Sequence, residues 1–473
     1  ASYNTAVGWG SLTANTTGAS NTAVGYQALD ANTTGEFNTA IGQEAMTTNT
    51  TGDRNVAVGF KALMDMNVTD GGHTFNTAVG FAAGENTSTG TNNTFMGANA
   101  GNANTTGTEN VAVGANALDA NSTGAYNSAF GKDALGAATT ADHNSAFGRI
   151  ALALNTTGAN NVAMGSRALY ANTTASNNTA TGYQALTANT TGAQNVAFGA
   201  NALDANTTAS NNTAVGYSAL GANTTGANNT SVGYQSLRDC VTGGQNAAFG
   251  YYALINNTAS DNCAFGNQAM QENTTGTDCT AVGSLALQAN TTGHSNAASG
   301  YIALTANTTG TKNAAFGFGS GSWVTTGSEN TFIGYDSGVN HTTGSNNIGI
   351  GSNAAPSSAS VSNEITLGNS SNDNLRCADT SISTLSDSRD KTNIVDIPLG
   401  LAFVNTVRPV SFDWNTRDGS RVGKKDFGFI AQELKVAEDA TVYANHMRLV
   451  HNNNPDKLEA DPMKMFPILV KAI

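Results

Sequence analysis

With 473 residues, 33 acidic against 20 basic side chains and a net charge of −13, the chain has no basic face to offer phosphates, which excludes nucleic acid as a partner. No apolar run approaches the roughly 18 residues that mark a membrane span, so membrane insertion is not expected. Only 11% of residues are charged and 7% aromatic, with 53 Gly and 6 Pro, a balance that by itself suggests low-complexity disorder.

Periodicity overrides that suggestion. Twenty-two glycines stand in register from Gly8 to Gly368, and nineteen of their 21 intervals are 17 residues. The exceptions are 21 (Gly59 to Gly80) and 16 (Gly250 to Gly266). Disordered tracts have no reason to keep one apolar residue every 17 positions, whereas a solenoid requires it. The chain opens mid-repeat at Ala1 without a Met and shows no signal peptide, so further sequence upstream is expected.

One repeat reads Asn212-Thr213-Ala214-Val215-Gly216-Tyr217-Ser218-Ala219-Leu220, then Asn223-Thr224-Thr225-Gly226. Counting from Asn212, position 3 is mostly Ala and position 4 is apolar except at Thr181 and Ser299. Positions 8 and 9 are usually Ala-Leu, as at Ala117-Leu118. Neighbouring residues of a strand point to opposite faces, so both faces read as buried. One is expected to fill the coil. The other, held to Ala, suits close approach of another wall, most simply a second chain.

Asn-Thr-Thr-Gly supplies turn chemistry, and stacked Asn and Thr are expected to form ladders between coils. Coils spaced by one strand separation make a rod of about 100 Å. The phrase Asn211 to Gly216 resembles the Asn-Ser-Val-Ala-Ile-Gly head repeat of trimeric autotransporter adhesins. That resemblance covers residues 1 to about 368 and implies a trimeric, left-handed parallel β-roll.

Other solenoids fit less well. Calcium-binding nonapeptide rolls need an Asp at a fixed position, and hexapeptide acyltransferases need a period divisible by six. Ice binding through Thr arrays is a minor alternative, as is sugar stacking on Tyr26-Gln27, Tyr183-Gln184 and Tyr234-Gln235.

Four cysteines are too few for a disulfide framework in a chain this long, which suits folding in a reducing cytoplasm. Cys263 and Cys279 fall in neighbouring repeats, so a bridge competes with simple filling of slots used elsewhere by Thr or Asn. Cys240 and Cys377 have no evident mate.

Late repeats drift at Trp323, Tyr335 and His341, and after Gly368 the composition changes. Residues 1–368 are therefore the repeat domain, 369–385 a neck, and 386–473 a separate α+β domain. Within it Pro398 to Val407 reads as a short helix. Val410 to Trp414 and Asp426 to Ile430 read as strands joined through Asp418-Gly419. Pro462 to Ile473 begins an apolar-faced helix.

The junction reads Leu385-Ser386-Asp387-Ser388-Arg389-Asp390-Lys391-Thr392-Asn393-Ile394. Together with Gly428-Phe429-Ile430-Ala431-Gln432-Glu433 and Leu469 to Ile473, it resembles the intramolecular chaperone auto-processing domain of phage tail spikes and fibres. The family's terminal, trimer-clasping helices would lie beyond Ile473. The resemblance implies self-cleavage at Ser386–Asp387, with Ser386 as nucleophile and Lys391 as general base. A lysine acts as a base only after desolvation or beside a cation, a role open to Arg389. Attack by Ser386 Oγ on its own carbonyl would close a four-membered ring, which leaves attack from another chain or through water.

Autoproteolysis is thus the only chemistry expected, with no cofactor. His446 and His451 read as surface or structural residues, and no catalytic metal is expected. The expected whole is a homotrimeric tail fibre of a bacteriophage virion, assembled in the host cytoplasm. Its partners would be upstream tail or baseplate proteins and a receptor, glycan among the options, on the bacterial cell envelope. No residue is assigned to receptor binding. The alternatives are a bacterial surface adhesin with the same chaperone and a glycan-degrading tail spike whose catalytic part lies elsewhere.

Overall fold

A computed structural model describes residues 1–68, 72–372, 386–416, 422–451 and 458–473. Cys377, most of the expected neck and the Asp418-Gly419 turn lie outside them. The chain divides into two compact units, Ala1–Thr309 and Gly310–Ile473.

The first unit is a parallel β-solenoid. Its strands run from β1 (Thr5–Val7) to β18 (Ala297–Ser299), each three residues long and one per coil. From β1 to β18 successive strands pair parallel and in register, as Thr213↔Thr230, Ala214↔Ser231 and Val215↔Val232 show. The second unit opens with four further coils, from β19 (Ala314–Phe316) to β22 (Ile365–Leu367), paired in the same way.

Burial reverses the expected faces of the strand. Ala at position 3 points into the coil's own interior, fully buried beside the Ala-Leu pair of positions 8 and 9 (Ala214, Ala219 and Leu220). Position 4 points outward, with Val7 58%, Met164 47% and Phe198 59% exposed. The reason is volume, since a 17-residue coil encloses a space too thin for a larger residue opposite Leu.

Two coils show that limit directly. Where position 3 is Phe95, the Leu slots of its own and the preceding coil become Gly101 and Gly84. A Cβ on either glycine would meet the Phe95 ring at 2.4 and 2.7 Å. Phe332 is accommodated in the same way by Gly338.

The glycine that recurs at position 5 is a close-approach site. Gly216 has φ +133°, and a Cβ there would stand 2.3 Å from the carbonyl oxygen of Gly233 in the next coil. Leu220 and its equivalents take left-handed φ near 52°. Their amides are secured by the next coil, Leu220 N donating to Ser236 O at 3.1 Å.

Two buried Asn columns run through the solenoid. At position 1, Asn38 N donates to Asn21 Oδ1 at 2.9 Å, while Asn38 Nδ2 donates to Gly52 O at 2.8 Å. At position 12, Asn172 Nδ2 donates to Asn155 Oδ1 at 2.8 Å. Thr hydroxyls add a third, outer column, as Thr16 Oγ1 donates to Thr33 O at 2.9 Å. The expected Asn and Thr ladders are present.

Cys240 and Cys279 are free thiols occupying Asn slots, Cys279 at position 1 and Cys240 at position 12. Cys279 Sγ donates to Gly293 O at 3.3 Å in place of an Asn amide. Cys263, at outward position 2, is free as well. Slot filling is therefore the reading that holds.

Beyond β22 the second unit holds a small region of short elements. A 3-10 turn spans Ser388–Asp390, and α1 (Leu401–Val404) follows. The hairpin strands β23 (Pro409–Asp413) and β24 (Lys425–Phe429) are antiparallel. Next come α2 (Ala431–Asp439), α3 (Ala444–Met447), the two-residue pair β25 (Val450–His451) and β26 (Glu459–Ala460), and α4 (Phe466–Ala472).

Phe403, Leu434, Met447, Leu449, Met465 and Ile468 form its core. The expected helix at 398–407 shrinks to one turn and the two strands stand within a residue of their expected bounds. The elements from α2 to β26 were not foreseen. Glu438, 2% exposed on α2, accepts the Leu449 amide at 2.7 Å, which ties the helix to β25.

Candidate self-processing site

The local sequence Ser386 to Lys391 folds on itself. Asp387 caps the 3-10 turn, its Oδ1 accepting the Arg389 amide at 2.9 Å. The Arg389 guanidinium grips the same carboxylate, Nη2 to Oδ2 at 2.5 Å and Nε to Oδ1 at 3.0 Å. This charged contact holds the Asp387 carboxyl below its ordinary range. The turn is closed by Lys391 N donating to Ser388 O at 3.3 Å.

Closing the turn returns Lys391 to the start of the segment. Its Nζ stands 2.7 Å from Ser386 Oγ and 3.2 Å from Ser386 O. One nitrogen thus reaches the Ser386 hydroxyl and the carbonyl of the bond between Ser386 and Asp387. Arg389 is directed onto Asp387. Ser386 and Lys391 are exposed, and Asp387 is half-buried.

The sequence pointed to Ser386 and Lys391 but not to the cap. Asp387 both flanks the bond and folds the chain that delivers the lysine. The signal was available as an acidic residue preceding a short turn with a basic residue two positions on.

The Gly428 to Glu433 block is placed at the junction of β24 and α2, where Glu433 pairs with Arg408 across the hairpin's start (Nε to Oε2 at 2.9 Å). His446 is exposed and packs edge-on against Tyr443, with ring centroids 6.0 Å apart. His451 lies exposed on β25.

The sequence model of the family described as chaperone of endosialidase matches residues 386–443, beginning at Ser386 itself. The C-terminal region carries an intramolecular chaperone domain. No curated protein and no solved structure matches the chain. A β-solenoid followed by such a chaperone fits a protein of the tail-fibre or tail-spike type.

Proposed function

We propose that the chain is a homotrimeric host-recognition fibre of a bacteriophage tail, assembled with its C-terminal chaperone and then cut from it at Ser386–Asp387. The carrying observation is the Lys391–Ser386 contact at the first residue of the chaperone match, downstream of a long solenoid. The partners of this reading are upstream tail proteins and a bacterial envelope receptor.

The cut is a hydrolysis. A nucleophile, water or Ser386 Oγ of a neighbouring copy, adds to the Ser386 carbonyl carbon. Neutral Lys391 takes the nucleophile's proton and returns it to the Asp387 nitrogen as the C–N bond breaks. Where Ser386 Oγ has attacked, water then releases the ester. Lys391 is exposed in the single chain, and cutting is expected to follow its burial between copies.

Exposed apolar side chains on the chaperone domain support such association. Val395 is 81%, Phe427 84% and Val442 88% exposed. Slow, long-range β assembly benefits from a detachable element that sets register first.

Amino-terminal sequencing of any small released fragment tests the chemistry, and a fragment starting at Asp387 is the expected result. Binding of the large product to bacteria and capsular glycans tests recognition. Release of oligosaccharide from the glycan would instead favour a degrading spike.

A further inference from the structure

The outward face of the first unit's strands is formed by positions 2 and 4. From Val7 to Val282 the position-4 residues are apolar at every coil except Thr181, and Ser299 ends the series. With the strands paired in register, these side chains line up into one stripe, about 80 Å long for one strand spacing per coil. Its members already stack along the solenoid, with Phe130 and Phe147 rings 4.9 Å apart and Phe249 and Phe265 rings 4.5 Å apart. Even so, Phe147 is 39%, Ile41 40% and Phe198 59% exposed. A continuous apolar stripe of this length exceeds what a soluble monomer leaves bare.

Charge selects the occupant. The chain carries −13, yet positions 2 and 4 hold no Lys, Arg, Asp or Glu between Thr5 and Ser299. Strongly acidic copies can therefore meet on this face without opposing like charges. A partner that covers every rung must repeat with the same spacing, and a parallel copy of the chain does so by construction.

We infer that this face is the seam between parallel, in-register copies of the chain, packed on position 4. This deepens the trimeric-fibre reading and rests on it. In that register Thr181 meets Thr181, and the hydroxyls pair with one another. Slipped by one coil, each would face Met164 or Phe198 and lose its partner. The polar rung thus sets register as a buried polar residue does in a coiled coil.

The test is the full chain carrying Thr181→Cys, mildly oxidised and run on denaturing gels beside the parent. Thr174→Cys, exposed in the Asn-Thr-Thr turn, is the control. Light scattering gives each oligomeric mass. The expected result is an oligomer in which Thr181→Cys adds a band at twice the chain mass and Thr174→Cys adds none. An oligomer without the Thr181→Cys band, or with equal bands from both variants, overturns the seam and leaves the fibre reading standing. A parent whose scattering mass is that of a single chain, cut or uncut, overturns both.

Discussion

At the scale of single residues, the position-12 Asn column of the solenoid is interrupted in places. Asn121 Oδ1 and Asn223 Oδ1 are buried without a partner, and in each case the next coil replaces Asn, by Ala138 and by Cys240. Restoring the column with Ala138→Asn is expected to satisfy Asn121 and stabilise the chain by about 1 kcal/mol, read as a raised urea midpoint. A lowered midpoint would mean that the slot has closed around Ala.

Cys240 gives a second residue-scale outcome. Burial pushes its thiol up to about 11 from 9.0. A group whose native value is raised contributes stability below its unfolded value and loses it as pH rises. Between about pH 9 and 11 the solenoid should therefore weaken, and Cys240→Ser should flatten that slope. Native Cys240 should also resist alkylation at pH 8 until the chain is unfolded.

At the scale of the coil, the Phe95 compensation makes a sharper prediction. Phe95→Ala alone should cost about 3–5 kcal/mol by opening a cavity. Adding Gly84→Leu and Gly101→Leu should recover most of it, because leucine takes the same left-handed conformation at this slot elsewhere, as at Leu118 (φ 54°). Additive losses in thermal unfolding would contradict the pairing.

This compensation was written in the sequence as Phe for Ala at position 3 and Gly for Leu at position 9. Period, strand, turn and ladder were equally legible, because each recurs in every coil. Which strand face points inward was not legible. Ala and Val are both apolar, and only the thinness of the coil assigns Ala to the interior. Helix α2 escaped notice for a different reason. Its buried side holds Leu434 and the charged Glu438, so the apolar periodicity that marks a helix is nearly absent. The lysine–serine contact was anticipated only through family resemblance; the Asp387 cap that creates it is a matter of local backbone geometry.

At the scale of the whole molecule, the proposed self-processing makes the chaperone domain temporary. In this reading the irregular domain, with its own core, aligns the copies first, and the Thr181 rung then holds that register in the finished stack. If the proposed cut removes the domain, the product would be held by kinetics, since the aligning element has gone. Asp387's contact with Arg389 positions the turn, so Arg389→Ala should slow cutting without abolishing it, followed as the rate of fragment appearance.

The most direct test is the intact mass of the purified full chain beside Ser386→Ala and Lys391→Ala. Self-processing should give a wild-type fragment ending at Ser386, absent from both variants. Full-length mass in all three would contradict it and make the C-terminal domain a permanent cap.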